Sequence, residues 1–196
     1  MSRTASLSSA TYRGIEIRIA TTIDELMQCF AVRSAAFLGR ENEPYEEEFD
    51  GNDLTAATHL LALDNGVPVG TMRVRILAGA GGGVATWQRF ATLPNGKLGM
   101  KVLNALADAA ADFTRFKRID RVVGEVADER LLRFWERFGF ERTGEAPSYY
   151  NGRAYHKIEG HFGRANAGLI DEGVGEAEAF YRWCETSPVS VVSQAA

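Results

Sequence analysis

Apolar and polar residues alternate from residue 14 to 20, where Gly-Ile-Glu-Ile-Arg-Ile-Ala reads as a half-buried strand. The period then lengthens. Ile23, Leu26, Met27, Phe30, Ala31 and Phe37 recur at helical spacing behind a Thr-Ile-Asp-Glu start signal, which predicts a helix over residues 22–40. Residues 41–53 are acidic, contain Pro44, and form a loop or short helix. Strands follow at 58–64 and 69–77, joined through Asp64-Asn65-Gly66, a strong hairpin signal. Beyond a glycine-rich turn at 79–83, a fourth strand runs from 84 to 93. A helix rich in Ala and Leu covers about 99–115, a fifth strand 121–126, and a helix stopped by Gly139 covers 128–137. Closing strands at 140–143 and 153–162 flank a loop at 148–152. A short helix is predicted at 177–184, and a mobile tail beyond Pro188. Residues 1–12 read as disordered. The order β, α, β-β-β, α, β, α, β-β describes one mixed α/β domain over residues 13–163 with a central, largely antiparallel sheet. Residues 164–196 then form a C-terminal helix and tail.

A chain of 196 residues, 45% hydrophobic, is long enough for one well-buried core and short for two. Its formal net charge of -4 argues against an electrostatically driven nucleic-acid binder. Anionic small ligands stay open, because a pocket lined by N–H groups binds them whatever the overall sign. Cys29 and Cys184 lack CxxC spacing; a reduced pair is expected, with a disulfide the alternative. Three scattered histidines give no metal-ligand spacing. No apolar run approaches the roughly 18 residues of a membrane span. The Ser/Thr-rich start lacks the apolar segment of a secretory signal, so a cytoplasmic protein is expected.

Candidate chemistry concentrates between residues 84 and 140. There a strand runs into Pro94-Asn95-Gly96-Lys97-Leu98-Gly99 and then into a helix. Backbone N–H groups at such a helix start point outward, and the helix dipole adds about half a positive charge. That arrangement binds phosphate, although a plain strand-to-helix turn asks for the same glycines. The segment ends in Phe134-Trp135-Glu136-Arg137-Phe138-Gly139-Phe140, whose aromatic residues suit a core or a pocket wall.

The strand order, the 95–99 loop and the 134–140 segment together resemble the GNAT acyltransferase superfamily over roughly residues 14–162. The resemblance implies a single-domain α/β fold with helices on both faces of the sheet and with the fourth and fifth strands splayed apart. It implies acetyl-CoA or another acyl-CoA as donor, its pyrophosphate on the glycine loop and its pantetheine arm between the splayed strands. Asn95, Gly96, Lys97, Leu98, Gly99 and Met100 would then hold the phosphates, Lys97 adding a point charge. A backbone N–H from Phe90, Ala91 or Thr92 would polarise the thioester carbonyl. The loop departs from the family's Arg/Gln-x-x-Gly-x-Gly/Ala: only Gly96 and Gly99 supply glycine, and no Arg or Gln leads it. Asp128 stands where the family has a coenzyme-touching Asn. Trp135 stands where a Tyr protonates the departing thiolate, and Trp has no proton to give.

A further stretch, Arg33, Phe37, Glu41, Pro44, Glu48, Asp50, Asp53 and His59, resembles the acyl-homoserine-lactone and N-acyl amino acid synthases, where acidic residues help hold the amine. Arg89-Phe90 and Tyr150-Asn151-Gly152-Arg153 share that likeness. The dense negative run from Glu46 to Asp53 would attract a cationic amine and accept its proton, or would simply be a solvated loop. Glu48, Asp50, Asp53 and Glu125 are therefore the candidate catalytic carboxylates, and Arg33, Phe37, Tyr150 and Tyr155 the candidate acceptor contacts. Tyr149 and His156 lie near the same hairpin; Trp87 and Gln88 occupy a strand where many members carry a base, and neither is one. His59 suits a core histidine better than a base. The expected function is transfer of an acyl group, acetyl in the first place, from acyl-CoA to a small-molecule primary amine. Two alternatives stay open. One is a longer-chain enzyme fed by an acyl-carrier protein or long-chain acyl-CoA, with Ala91 and Gly124 opening a tunnel. The other is a catalytically silent module that binds coenzyme A. A homodimer is the base-rate expectation.

Overall fold

The strand Ala57–Asp64 is buried at five consecutive positions, His59 to Leu63, so neither of its faces meets water. Such a strand needs a helix on each side. Leu60 and Ala62 pack into the large core with Val102, Leu106 and Phe113 of the central helix, whereas Leu61 and Leu63 pack against Cys29 of the first helix. The computed structural model describes residues 8–78, 83–150, 152–163 and 174–186. Among them run nine strands: β1 (Ala10–Tyr12), β2 (Ile15–Ile19), β3 (Ala57–Asp64), β4 (Val67–Ala78), β5 (Gly83–Thr92), β6 (Ile119–Val126), β7 (Phe140–Arg142), β8 (Ser148–Tyr150) and β9 (Arg153–His161). They form one sheet in the order β1-β2-β3-β4-β5-β6-β9-β7, with β8 hairpinned onto β9. Among the described residues only β5 and β6 pair in parallel, through the crossover helix between them.

The helices are α1 (Ile23–Arg33), α2 (Tyr45–Glu48), α3 (Gly96–Phe116), α4 (Glu129–Glu136) and α5 (Glu176–Thr186). Thr22 and Glu25 close a capping box on α1, as the start signal predicts. Asn65 and Gly66 take φ of 51° and 79° between the paired residues Asp64 and Val67, the left-handed pair that a two-residue hairpin requires.

Four expectations need correction. Residues 10–12 form a strand rather than a disordered lead, because Tyr12 is fully buried and donates to Asp112 Oδ2 at 3.1 Å; residues 1–7 lie outside the described residues. The splayed pair is consequently β5 and β6. The helix expected over 22–40 becomes π-helical from Ser34 to Arg40, a widening that period alone does not reveal and that recurs at functional sites. Residues 148–150 pair with β9 where a loop was expected, and α3 begins at Gly96, so the glycine loop is the helix's own first turn.

α5 docks through Phe180, whose ring lies 5.4 Å from Phe113 and 5.7 Å from Phe116. Tyr181 Oη accepts from Ile19 N at 2.6 Å, and burial pushes its phenol up to about 12. The tail beyond Pro188 lies outside the described residues. Cys29 and Cys184 are buried in separate parts of the core and form no disulfide with each other. Among the described residues no helix is long and apolar enough to cross a membrane.

Candidate active site

The N-terminus of α3 is open. Asn95 is its N-cap but its side chain caps nothing, which leaves the first amides to external partners. Gly96 has φ of 62° and no atom within 4 Å of where a Cβ would stand. Gly99 is required for another reason: a Cβ there would lie 2.3 Å from the Pro94 carbonyl oxygen, so only glycine lets the helix start against the end of β5. A cavity of about 1000 Å³ opens over this turn, lined by Asn95, Gly96, Lys97, Gly99 and Met100, with Arg13 and Lys101 at its margin. These residues suit a diphosphate: unpaired first-turn amides and the helix dipole meet the Lys97 side chain there, while Arg13 is paired with Asp108 at 2.7 Å and Lys101 donates to the Gly14 carbonyl at 3.4 Å. Leu98 belongs to the same exposed turn.

Next to that turn the sheet opens. β5 and β6 pair only from Gly83 to Thr86 against Ile119 to Val123, and their remaining residues diverge. On its other edge β5 carries a bulge: Gln88 pairs with Arg73 and Ala91 with Thr71, so Arg89 and Phe90 together oppose Met72. Arg89 takes φ of 53° to make that turn. A bulge leaves its extra residue out of the ladder, and this one lies at the segment expected to polarise a thioester. Ala91 and Thr92 rejoin β4; Ala91 packs on Val32 and Ala36, with Phe37 alongside. The Thr92 carbonyl accepts from Arg40 Nη2 at 3.0 Å.

The two faces of the opening differ. On the α3 and α4 side, Trp87 and Trp135 are nearly buried and 5.8 Å apart, and Phe90 stacks 4.9 Å from Trp135 and 5.6 Å from Phe134. Trp87 is pinned by its Nε1 donating to Thr114 Oγ1 at 3.2 Å. Asp128 caps α4, accepting from Arg130 N at 2.6 Å. Of the two small residues, Ala91 faces the α1 side, and a Cβ on Gly124 would lie at an ordinary contact distance of 3.6 Å from Ile158.

On the α1 side an ion network fills the space. Arg33 is fully buried, paired with Glu48 through Nε and with Asp53 through Nη1, and it donates to the Glu48 carbonyl at 2.7 Å. Arg73, also fully buried, donates to Asp53 at 2.9 Å, to Asp50 at 2.8 and 2.7 Å, and to Gln88 Oε1 at 2.8 Å. Arg89 reaches Asp50 at 3.2 Å and the Glu47 carbonyl. Three guanidinium groups thus meet three carboxylates, Glu48, Asp50 and Asp53, and the segment that reads as a dense negative patch is neutralised where it enters the protein. Hydrogen bonds from Arg73 hold the Asp50 carboxyl well below the usual range. Burial raises Asp53, but Arg33 and Arg73 outweigh it and the net shift is downward. For Glu48 burial outweighs Arg33 and the net shift is upward. His59 donates from Nε2 to the Asp53 carbonyl at 2.9 Å, and burial lowers its pKa, so it is neutral. Sequence reasoning missed Arg73 altogether. The signal was present in Met72-Arg73-Val74, a charged residue inside a core strand.

Glu125, at the end of β6, stands apart from this network and is exposed. It accepts from Ser148 Oγ at 2.6 Å and from Tyr150 Oη at 3.0 Å, bonds that bring β8 over the mouth of the opening. The bond to Glu125 raises the Tyr150 pKa. Tyr155 lies 5.2 Å from Tyr150, ring to ring. Burial raises its pKa, and the charges of Glu43, Glu41 and Glu47 add to the rise, which sets the outer acidic segment across from this hairpin. Among the described residues no group of His, Cys, Asp and Glu is placed to hold a metal ion.

The solved structures similar to this chain share this architecture. A putative N-acetyltransferase from Lactobacillus plantarum is 18% identical with a TM-score of 0.61, covering 76% of this chain and 99% of its own. FeeM, an N-acyl amino acid synthase from uncultured soil microbes, is 14% identical with a TM-score of 0.62, covering 76% and 91%. The ribosomal-protein-S18-alanine N-acetyltransferase from Escherichia coli is 17% identical with a TM-score of 0.62, covering 79% and 98%. No curated protein sequence matches the chain. The family model described as Acetyltransferase (GNAT) family matches residues 22–140. That match spans α1 through the start of β7, including the open helix turn and the parted strands, and the chain belongs to the GNAT acetyltransferase family.

Proposed function

We propose that this protein transfers a short acyl group, acetyl in the first place, from acyl-CoA to a primary amine by direct attack. One observation carries the reading: β5 and β6 part beyond Thr86 and Val123 beside a helix start whose amides no side chain caps. The first-turn amides of residues 96–98 and the Lys97 ammonium hold the diphosphate, and the bulge at Phe90 supplies the N–H for the carbonyl oxygen. The acceptor enters from the opposite side of the sheet, where Glu41, Glu43 and Glu47 draw a cationic amine toward Tyr150 and Tyr155. A free alkylamine has a pKa near 10, so its proton must leave before the nitrogen attacks.

Glu125 is the carboxylate suited to take that proton, directly or through one water, because it is exposed at the mouth and bears no guanidinium partner among the described residues. Ser148 and Tyr150 hold its two oxygens in place. The nitrogen then bonds to the carbonyl carbon as the carbon–sulfur bond breaks, and the thiolate takes a proton from Tyr150 or solvent, Trp135 having none to offer. Glu48, Asp50 and Asp53 serve this scheme as the frame that seats Arg33, Arg73 and Arg89. The longer-chain alternative finds support in the synthase-like Arg33-to-Asp53 pattern. The test is thiol release from acetyl-CoA with an amine panel, alongside calorimetric titration of CoA into wild type and Gly99→Glu. Equal CoA affinity in the two proteins would remove the helix turn from the mechanism.

A further inference from the structure

In the acyl-CoA reading the acyl group enters between the parted strands, and on the α3 and α4 side that space is occupied by a cluster of aromatic rings. Trp87 projects from β5 just past the last paired residue, Thr86. Its ring lies 5.8 Å from Trp135, 5.3 Å from Phe140 and 5.0 Å from Phe162. Trp135 in turn lies 4.9 Å from Phe90 and 5.4 Å from Phe140. Both indoles are more than nine-tenths buried, at 8% and 7% exposure, and Trp87 is fixed by its bond to Thr114. On the β6 side the wall is Gly124, whose Cβ position would lie 3.6 Å from Ile158 and 4.0 Å from the Trp87 carbonyl oxygen, so the indoles rather than β6 carry the obstruction.

From this packing we infer that Trp135, backed by Trp87, sets the length of the acyl group, admitting short esters such as acetyl and excluding long chains such as octanoyl. The inference rests on the acyl-CoA reading above and sharpens it to a donor class. A short acyl group stops at the bulge beside Phe90. A longer chain continuing into the gap has to displace an indole held on several sides by rings. Close-packed interiors resist such insertion, because added methylenes force side chains off their rotamers. The same indole fills the position at which a phenol would serve as proton donor, so one residue both closes the gap and hands the thiolate's proton to another group.

The test needs no acceptor. CoA, acetyl-CoA, butyryl-CoA and octanoyl-CoA are titrated calorimetrically into wild type, Trp135→Leu and Trp87→Phe, each variant checked by circular dichroism and melting. Wild type is expected to bind octanoyl-CoA about tenfold or more weakly than acetyl-CoA. Trp135→Leu is expected to narrow that ratio by a similar factor, as the removed ring leaves room for the chain. Wild type binding octanoyl-CoA as tightly as acetyl-CoA overturns the inference without any variant, and leaves the CoA reading standing. A folded Trp135→Leu whose octanoyl-to-acetyl ratio equals that of wild type overturns it as well. Failure of CoA itself to bind would overturn the donor reading and this inference together.

Discussion

Replacing Asp53 with Asn removes one negative charge from the centre of the ion network while keeping the side chain's size. Asp53 is 8% exposed, and the two arginines it joins, Arg33 and Arg73, are both at 0%. After the change three guanidinium groups face two carboxylates, and one buried cation loses part of its compensation. Removing one partner of a buried ion pair costs about 3–5 kcal/mol. In a chain of this size each kcal/mol is worth about 2–4 °C of melting temperature, so a fall of about 6–20 °C is expected. Asp50→Asn is the control: its side chain is 28% exposed, and water replaces much of what is lost, so its fall is smaller. Scanning calorimetry at neutral pH, paired with the rate of acetyl transfer, separates a frame residue from a catalytic base. If Asp53→Asn melted within about 2 °C of wild type yet abolished transfer, Asp53 would take part in the chemistry and the network would not be a structural frame.

Other outcomes follow from the same geometry. Gly99→Ala drives a Cβ to 2.3 Å from the Pro94 oxygen, and the backbone shift it forces should cost about 1–3 kcal/mol and weaken CoA binding. Gly96→Ala meets no atom, so it should cost about 1–2 kcal/mol for its left-handed φ while weakening CoA less; calorimetry giving the reverse order would contradict the assignment. Glu125→Gln should lower kcat/KM by about 10²–10⁴ at an unchanged melting temperature, and a full rate would dismiss Glu125 as the base. Acid should weaken the fold in two stages. His59 is held below its ordinary value near 6.5, so the unfolded chain binds the extra proton first and stability falls as pH drops below about 6.5. Asp50 and Asp53, held below about 3.9, contribute stability above that pH that is lost as pH falls further, through their folded-state pKa values. Glu48, raised by burial, works in the opposite direction. A melting temperature constant from pH 7 to pH 3 would refute the argument.

Much of the fold was legible along the chain because it rests on local signals. The Thr22 to Glu25 capping box, the Asn65-Gly66 turn and the helix-period stripe of α3 each involve residues a few positions apart, and local geometry settles them. The glycine turn was legible in the same way, as was the likeness to GNAT proteins carried by residues 134–140. The site was less so. A run of Glu and Asp reads as a negative patch, and only the approach of Arg33 from α1, Arg73 from β4 and Arg89 from β5 turns its inner part into a neutral lattice. Charges neutralise through space, and composition within a window carries no record of a partner outside it.

The chain's own order of residues was enough to determine an α/β domain with an open helix start after a central strand, since backbone propensity and periodicity act over one turn or one strand. Which carboxylates are tied up and which one is available was decided in three dimensions. Glu48 and Asp53 turned inward to arginines, while Glu125 met Ser148 and Tyr150 across the mouth of the parted strands. The physical reason is the same for both outcomes. A carboxylate's chemistry is set by the charges and donors within a few ångströms of it, and those come from whichever distant strands the sheet brings alongside.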